Sequence, residues 1–112
     1  MKISEKSIAD VVVLSLEGSL MGGPEAVSLN EVINRLLDDK SLKLVINLEK
    51  VERVNSSGLG ILIKALTTFK TNGGELKLAN IKYNINNLLV MTKLNTILET
   101  FNSEEAAIKS FQ

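Results

Sequence analysis

Apolar positions along this 112-residue chain repeat with two different periods. Residues 11–18, VVVLSLEG, are short, β-branched and closed by Gly18, which predicts a strand. KISEKSI, 2–8, alternates weakly and fits an edge strand. Residues 42–48, LKLVINL, are almost continuously apolar, the pattern of a central parallel strand. A further strand is expected at 75–81, ELKLANI, and a short last one in NTILETF, 95–101. Between these runs the period changes to that of a helix. Leu29, Val32, Ile33, Leu36 and Leu37 form one stripe, with Asn30, Glu31, Asn34, Arg35 and Asp38 on the other face. Pro24 and Glu25 suit the first turn of that helix: proline lacks a donor that would be orphaned there, and the carboxylate favours the dipole. Leu59, Leu62, Ile63 and Leu66 repeat the stripe to about Thr71, where Asn72-Gly73-Gly74 ends it with residues that tolerate positive φ. Ile85, Leu88 and Leu89 begin a third helix, to about Lys93. Ser103 caps a fourth, with Glu104 and Glu105 in its first turn and Ile108 and Phe111 facing inward.

The order β-β-α-β-α-β-α-(β)-α predicts an α/β fold with a mostly parallel sheet of four to five strands. If successive strands add in order, right-handed crossovers place the helices, about four of them, on one face. That is a two-layer arrangement, and the length suits one domain spanning 1–112.

Composition then narrows the chemistry. Lys plus Arg and Asp plus Glu are 13 each, and no two basic residues are adjacent. Without a basic footprint, nucleic acid and anionic membrane are not expected partners. Without cysteine or histidine there is no thiolate, no sulfur-ligated metal and no serine–histidine hydrolase. The carboxylate pairs Asp38-Asp39 and Glu104-Glu105, and Glu49 with Glu52, read as solvated surface. No enzyme activity, metal or cofactor is expected. A polar N-terminus and the lack of a run of about 20 apolar residues lead us to expect a cytoplasmic protein with no leader or membrane span.

Sites in parallel sheets collect at the carboxyl ends of strands. Two loops there stand out, GSLMGG after the second strand and VERVNSSG after the third, which would bring Met21 and Ser56 to one edge. Neither is a phosphate-binding G-x-x-x-x-G-K-[ST] loop, because no lysine follows Gly22-Gly23. On residue types alone, Ser56 and Ser57 read most simply as a helix cap, Ser57 being the better placed of the two. Gly58 and Gly60 would then permit a tight loop and close packing of helix on sheet. Met21 reads as a half-buried loop residue.

Taken with VVVLSLEGSL upstream and GGELKLANI downstream, LKLVINLEKVERVNSSGLGILI resembles the STAS domain family, in particular the bacterial anti-sigma factor antagonists. The resemblance spans essentially the whole chain. The family pattern D-S-[ST]-G-L-G is matched at five of six positions by Asn55, Ser56, Ser57, Gly58, Leu59 and Gly60, the departure being Asn55 for aspartate. Asparagine keeps the size and the acceptor and loses the charge. The resemblance implies phosphorylation of Ser56 by an anti-sigma factor that is also a GHKL-type serine kinase, and dephosphorylation by a PP2C-type phosphatase. The unphosphorylated form would bind the anti-sigma factor and release a sigma factor; the phosphorylated form would let go. Met21, Gly22, Asn55, Ser56, Ser57, Gly58 and Leu59 would form the partner-binding surface of a monomer or weak dimer. A STAS scaffold or ligand-sensing module without that phosphorylation cycle is the alternative.

Overall fold

Five strands lie in chain order across one sheet in the computed structural model, which describes all 112 residues. β1 (Lys2–Ile8) pairs antiparallel with β2 (Val11–Leu20); β3 (Lys43–Val54), β4 (Glu75–Ala79) and β5 (Thr100–Phe101) follow in parallel. The helices are α1 (Pro24–Asp38), α2 (Ser56–Thr71), α3 (Tyr83–Met91) and α4 (Glu104–Lys109). The expected fold class and strand order therefore hold. A 3-10 turn, Leu94–Thr96, occupies the start of the segment expected as the last strand, which shrinks to two residues. β4 also stops at Ala79, short of the expected Ile81.

Strand alternation sorts the core into two clusters. Val12, Leu14, Leu16, Leu44, Ile46, Leu48, Leu76 and Leu78 point to one face, where Leu29, Ile33 and Leu36 of α1, Leu62, Leu66 and Phe69 of α2 and Ile85 and Leu89 of α3 cover them. Val11, Val13, Val45 and Ala79 point the other way, onto Ala107 and Ile108 of α4. The expectation that all the helices share one face is thus corrected: three do, and α4 packs on the opposite face. Crossover handedness constrains only a helix that leads from one parallel strand to another. No strand follows α4, so the apolar faces decide its place, and the odd-numbered valines left uncovered by α1–α3 attract it.

Polar side chains fix α4 there. Ser103 caps it, accepting from the Ala106 amide at 3.0 Å. Buried Asn47 on β3 donates its side-chain amide to Glu104 at 2.8 Å, and Lys6 on β1 pairs with the same carboxylate. Partial burial works to raise the Glu104 carboxyl, but the hydrogen bonds from Lys6 and Asn47 outweigh it and hold the group below the usual carboxylate range. At the far end, buried Lys77 of β4 donates to Ser110 Oγ at 2.7 Å and lies 4.3 Å from the centroid of the Phe111 ring.

β3 runs well past the expected end at residue 48. EKVERV continues as strand because β2 continues beside it, to Ser19↔Arg53 and Leu20↔Val54. Register shifts between Ser15 and Glu17 and between Gly18 and Ser19 break the strict alternation, and Val51 thereby joins Leu48 in the core. What the residue pattern shows as two long loops is an extended two-strand arm.

Candidate functional site

The arm delivers two chain reversals to the same place. β2 ends at Leu20 and β3 at Val54, paired with each other, so residues 21–23 and Asn55 leave the sheet side by side. Only Asn55 separates β3 from α2. The expected meeting of Met21 and Ser56 at one edge follows from this pairing.

Asn55 is the N-cap of α2. Its backbone is extended (φ −104°, ψ −175°), its side-chain oxygen accepts from the Gly58 amide at 2.8 Å, and its carbonyl accepts from Leu59 at 2.9 Å. This corrects the assignment of the cap to Ser57. Ser56 and Ser57 are the first two helical residues, both exposed, and neither hydroxyl is used to start the helix. The reach of the side chain decides this: with Asn55 in extended geometry its acceptor meets the third amide of the turn, which satisfies one orphan donor and leaves those of Ser56 and Ser57 without an intrahelical partner. We predict that Asn55→Ala destabilises the protein by about 1 kcal/mol while Asn55→Asp does not, because aspartate keeps the acceptor and favours the helix dipole. Denaturant melts of the two variants check this; equal loss in both would show that the amide nitrogen, not the oxygen, matters.

Gly58 and Gly60, superficially alike, do different things. A Cβ on Gly58 would overlap the carbonyl oxygen of Leu20 and lie 2.7 Å from its carbon and 3.1 Å from Val54 Cγ1. The first turn of α2 thus rests directly on the ends of β2 and β3. The same carbonyl of Leu20 accepts from the Asn55 amide at 3.4 Å. A Cβ on Gly60 would meet nothing within 4 Å, so close packing, the role expected for both glycines, belongs to Gly58 alone. Leu59 is buried and anchors the turn. Sequence reasoning missed Leu20 and Val54 as parts of the site; their apolar character beside Gly18 and Arg53 is the signal that strand pairing continues that far.

The loop over the helix start is held by glycine. Gly22 and Gly23 have φ of 105° and 66°, values that other residues adopt with strain. A Cβ on Gly22 would come 3.0 Å from Ser57 Cβ, so the loop lies against Ser57. Met21 is 42% exposed. Ser57 is thus flanked by the loop, whereas Ser56 stands at the first helical position.

No cluster of three or more Asp or Glu side chains is placed to hold a metal. A small, mostly apolar cavity of about 40 Å³ lies between α1 and α2, lined by Ala26, Leu29, Asn30, Ile33, Ile61, Lys64 and Ala65. No helix is long and apolar enough to cross a membrane. The edge carries the exposed hydroxyls of Ser56 and Ser57 and the exposed Met21 beside the glycine-seated start of α2.

The STAS domain family model matches residues 2–107. Solved structures match over nearly the whole chain. A Thermotoga maritima protein described as an anti-sigma factor antagonist superposes with a TM-score of 0.87 at 23% identity, covering 96% of this chain and 92% of that one. The Bacillus cell fate determinant SpoIIAA in its phosphorylated form gives 0.75 at 18% identity, covering 99% and 100%. The murine Solute Carrier 26 family member A9 anion transporter gives 0.78 at 21% identity over 92% of this chain, but over 18% of the transporter. The chain belongs to the STAS domain family, and its fold is that of the anti-sigma factor antagonists.

Proposed function

We propose that this STAS protein is an anti-sigma factor antagonist that switches partners through phosphorylation of Ser56. The observation that carries the reading is the first turn of α2: an exposed, unshared serine hydroxyl on a turn locked to the sheet by Gly58 and capped by a neighbour, with exposed Met21 beside it. Unphosphorylated, this edge packs against an anti-sigma factor, with Met21 the adaptable apolar contact and Gly22, Asn55, Ser57, Gly58 and Leu59 its frame. The partner, a GHKL-type serine kinase, supplies ATP. The Ser56 oxygen attacks the γ-phosphorus, the bond to the bridging oxygen breaks, ADP leaves, and the hydroxyl proton passes to a base of the kinase. A PP2C-type phosphatase returns the hydroxyl by hydrolysis. This chain contributes only the acceptor oxygen and the frame around it, so it is a regulator and not the enzyme of the cycle.

The electrostatics suit a switch. Phosphate adds about −1.5 to −2 charges. At a helix N-terminus the dipole and the free Ser56 and Ser57 amides favour an anion, so the fold accommodates it. A partner surface covering the same spot must desolvate a dianion, and binding is lost. No acidic residue occupies the first turn of α2, which leaves the incoming phosphoryl group no carboxylate there to oppose it.

A second reading, a STAS module that assembles with larger machinery without phosphorylation, draws on the likeness to the anion transporter and on Asn55, which replaces the aspartate of the antagonist pattern. One experiment separates the two. Incubation with a cognate anti-sigma kinase and ATP should add one phosphate by intact mass, mapped by fragmentation to Ser56. Modification on Ser57 alone would move the site. No modification by a kinase verified on another substrate would favour the second reading.

A further inference from the structure

Asn47 and Lys77 are the only polar or charged residues buried in this protein, and both reach toward α4. Lys77 meets Ser110 at the far end of the helix. Asn47 differs, because the two ends of its amide are engaged on different elements. Its nitrogen donates to Glu104 in the first turn of α4 at 2.8 Å. Its oxygen accepts from the backbone amide of Glu49 at 2.9 Å. An aspartate has no hydrogen for the Glu104 carboxylate, and an apolar side chain answers neither neighbour.

The bond to Glu49 falls inside an irregularity of the sheet. Ser15 pairs with Asn47 and Glu17 with Lys50, so two steps along β2 face three along β3. The extra residue is a bulge, and it reverses the alternation of β3. Asn47 faces α4, and strict alternation would turn Val51 the same way. Val51 instead joins Leu48 in the core under α1–α3. The course of the arm toward Val54 and the Ser56 turn is therefore set where Asn47 holds Glu49. α4, in contrast, is lightly held. It has six residues, and its buried side chains are Ala107 and Ile108. A helix this short is not stable by itself, so it is either docked or unwound, and the Glu104 bond exists only when it is docked.

We propose that docking of α4 controls the order of the Ser56 turn through Asn47. Docked, Glu104 holds the Asn47 amide in the orientation that pins the bulge. Released, it leaves that amide free to rotate, the Glu49 bond weakens, and the arm that carries Ser56 loosens. Asn47 is then a positioning residue, and α4 a clip acting from the face of the sheet opposite α2. The coupling runs through one side chain with two bonds and one element with two states, which is what transmission between distant sites requires. A loosened turn presents Ser56 poorly, so release of α4 weakens partner binding and phosphoryl transfer. That consequence rests on the Ser56 reading above; the coupling itself does not.

The test is amide-resolved hydrogen exchange by NMR on the full chain, without any partner. In the unaltered protein the amides of Glu49, Ala107 and Ser110 should open together, at least about tenfold more often than those of Leu44, Val45 and Ile46. Ser103→Ala removes the α4 cap without touching Asn47. It should speed Ala107 and Glu49 by one common factor, about fivefold, and speed Asn55 and Gly58 by about twofold or more. Glu104→Gln keeps an acceptor for Asn47, so it should disturb Glu49 less than Glu104→Ala does. All three substitutions avoid the large core, and a melt checks that each variant folds. Faster exchange confined to α4 would overturn the proposal, as would a Glu49 amide as protected as those of Leu44, Val45 and Ile46. So would a response at Glu49 that stops short of Asn55 and Gly58, or equal effects of Glu104→Gln and Glu104→Ala. Failure of Ser56 to accept phosphate leaves these rates untouched, so the coupling and the switch can fail separately.

Discussion

Gly58→Ala should lower the melting temperature by about 15 °C or prevent folding, while Gly60→Ala should raise it by a few degrees. Both residues lie in the first turns of the same helix, and on helix propensity alone each alanine gains about 1 kcal/mol. The difference is what the new methyl meets. At Gly60 it meets nothing within 4 Å, and the propensity gain stands. At Gly58 it overlaps the Leu20 carbonyl, a backbone group already engaged by the Asn55 amide at the end of a paired strand. Neither helix nor strand can yield without breaking the Asn55 cap or the Leu20↔Val54 pairing. Overpacking against backbone on this scale costs about 3 kcal/mol or more, well beyond the propensity gain. Thermal melts of the two variants decide it. A mild effect at Gly58 would mean that the α2 start is not seated on the strand ends as described. Gly60→Ala carries a second readout: if a partner approaches α2 there, binding should weaken even as stability rises.

Ser56→Asp should weaken anti-sigma factor binding about 100-fold or more and leave the fold in place. The variant puts a carboxylate at the first position of α2, where the dipole is favourable and the change in stability stays within about 1 kcal/mol. Across a closed interface the same charge lacks a partner, and an unpaired buried charge costs about 3 kcal/mol or more, which is the predicted loss of affinity. Calorimetric titration and a melt on one preparation test both halves. Retained affinity would place Ser56 outside the interface. Loss of affinity together with a collapsed melt would show structural damage, which the exposure of Ser56 argues against.

Much of this molecule is legible in its residue order because the relevant physics is local. The stripe Leu29, Ile33, Leu36 sits on one side of a 3.6-residue repeat and is buried as the pattern requires. Ser103 caps α4 because its oxygen needs only the amide three residues on. Asn72-Gly73-Gly74 ends α2 with Gly73 at φ 83° and the Gly74 amide bonded to the Phe69 carbonyl at 2.8 Å. The strands and the crossover rule together give sheet order. The S-S-G-L-G run also marks the start of α2 at Ser56 without any knowledge of what surrounds it.

Tertiary structure decided the features that depend on residues distant in sequence. β3 reaches Val54 because β2 reaches Leu20, and charged Glu52 and Arg53 stay extended through pairing that their own composition does not predict. α4 takes the second face because Val11, Val13, Val45 and Ala79, drawn from three strands, leave an apolar surface there. A capping oxygen could come from Asn55 or from either serine; the angle at which the paired arm feeds α2 selects Asn55 and leaves both hydroxyls free. Gly58 and Gly60 are the same residue type in one motif, and only the Leu20 carbonyl, 38 positions upstream of Gly58, makes the first of them indispensable. Periodicity and capping are properties of a few neighbouring residues and can be read from the chain; which backbone passes within reach of which side chain is a property of the assembled sheet.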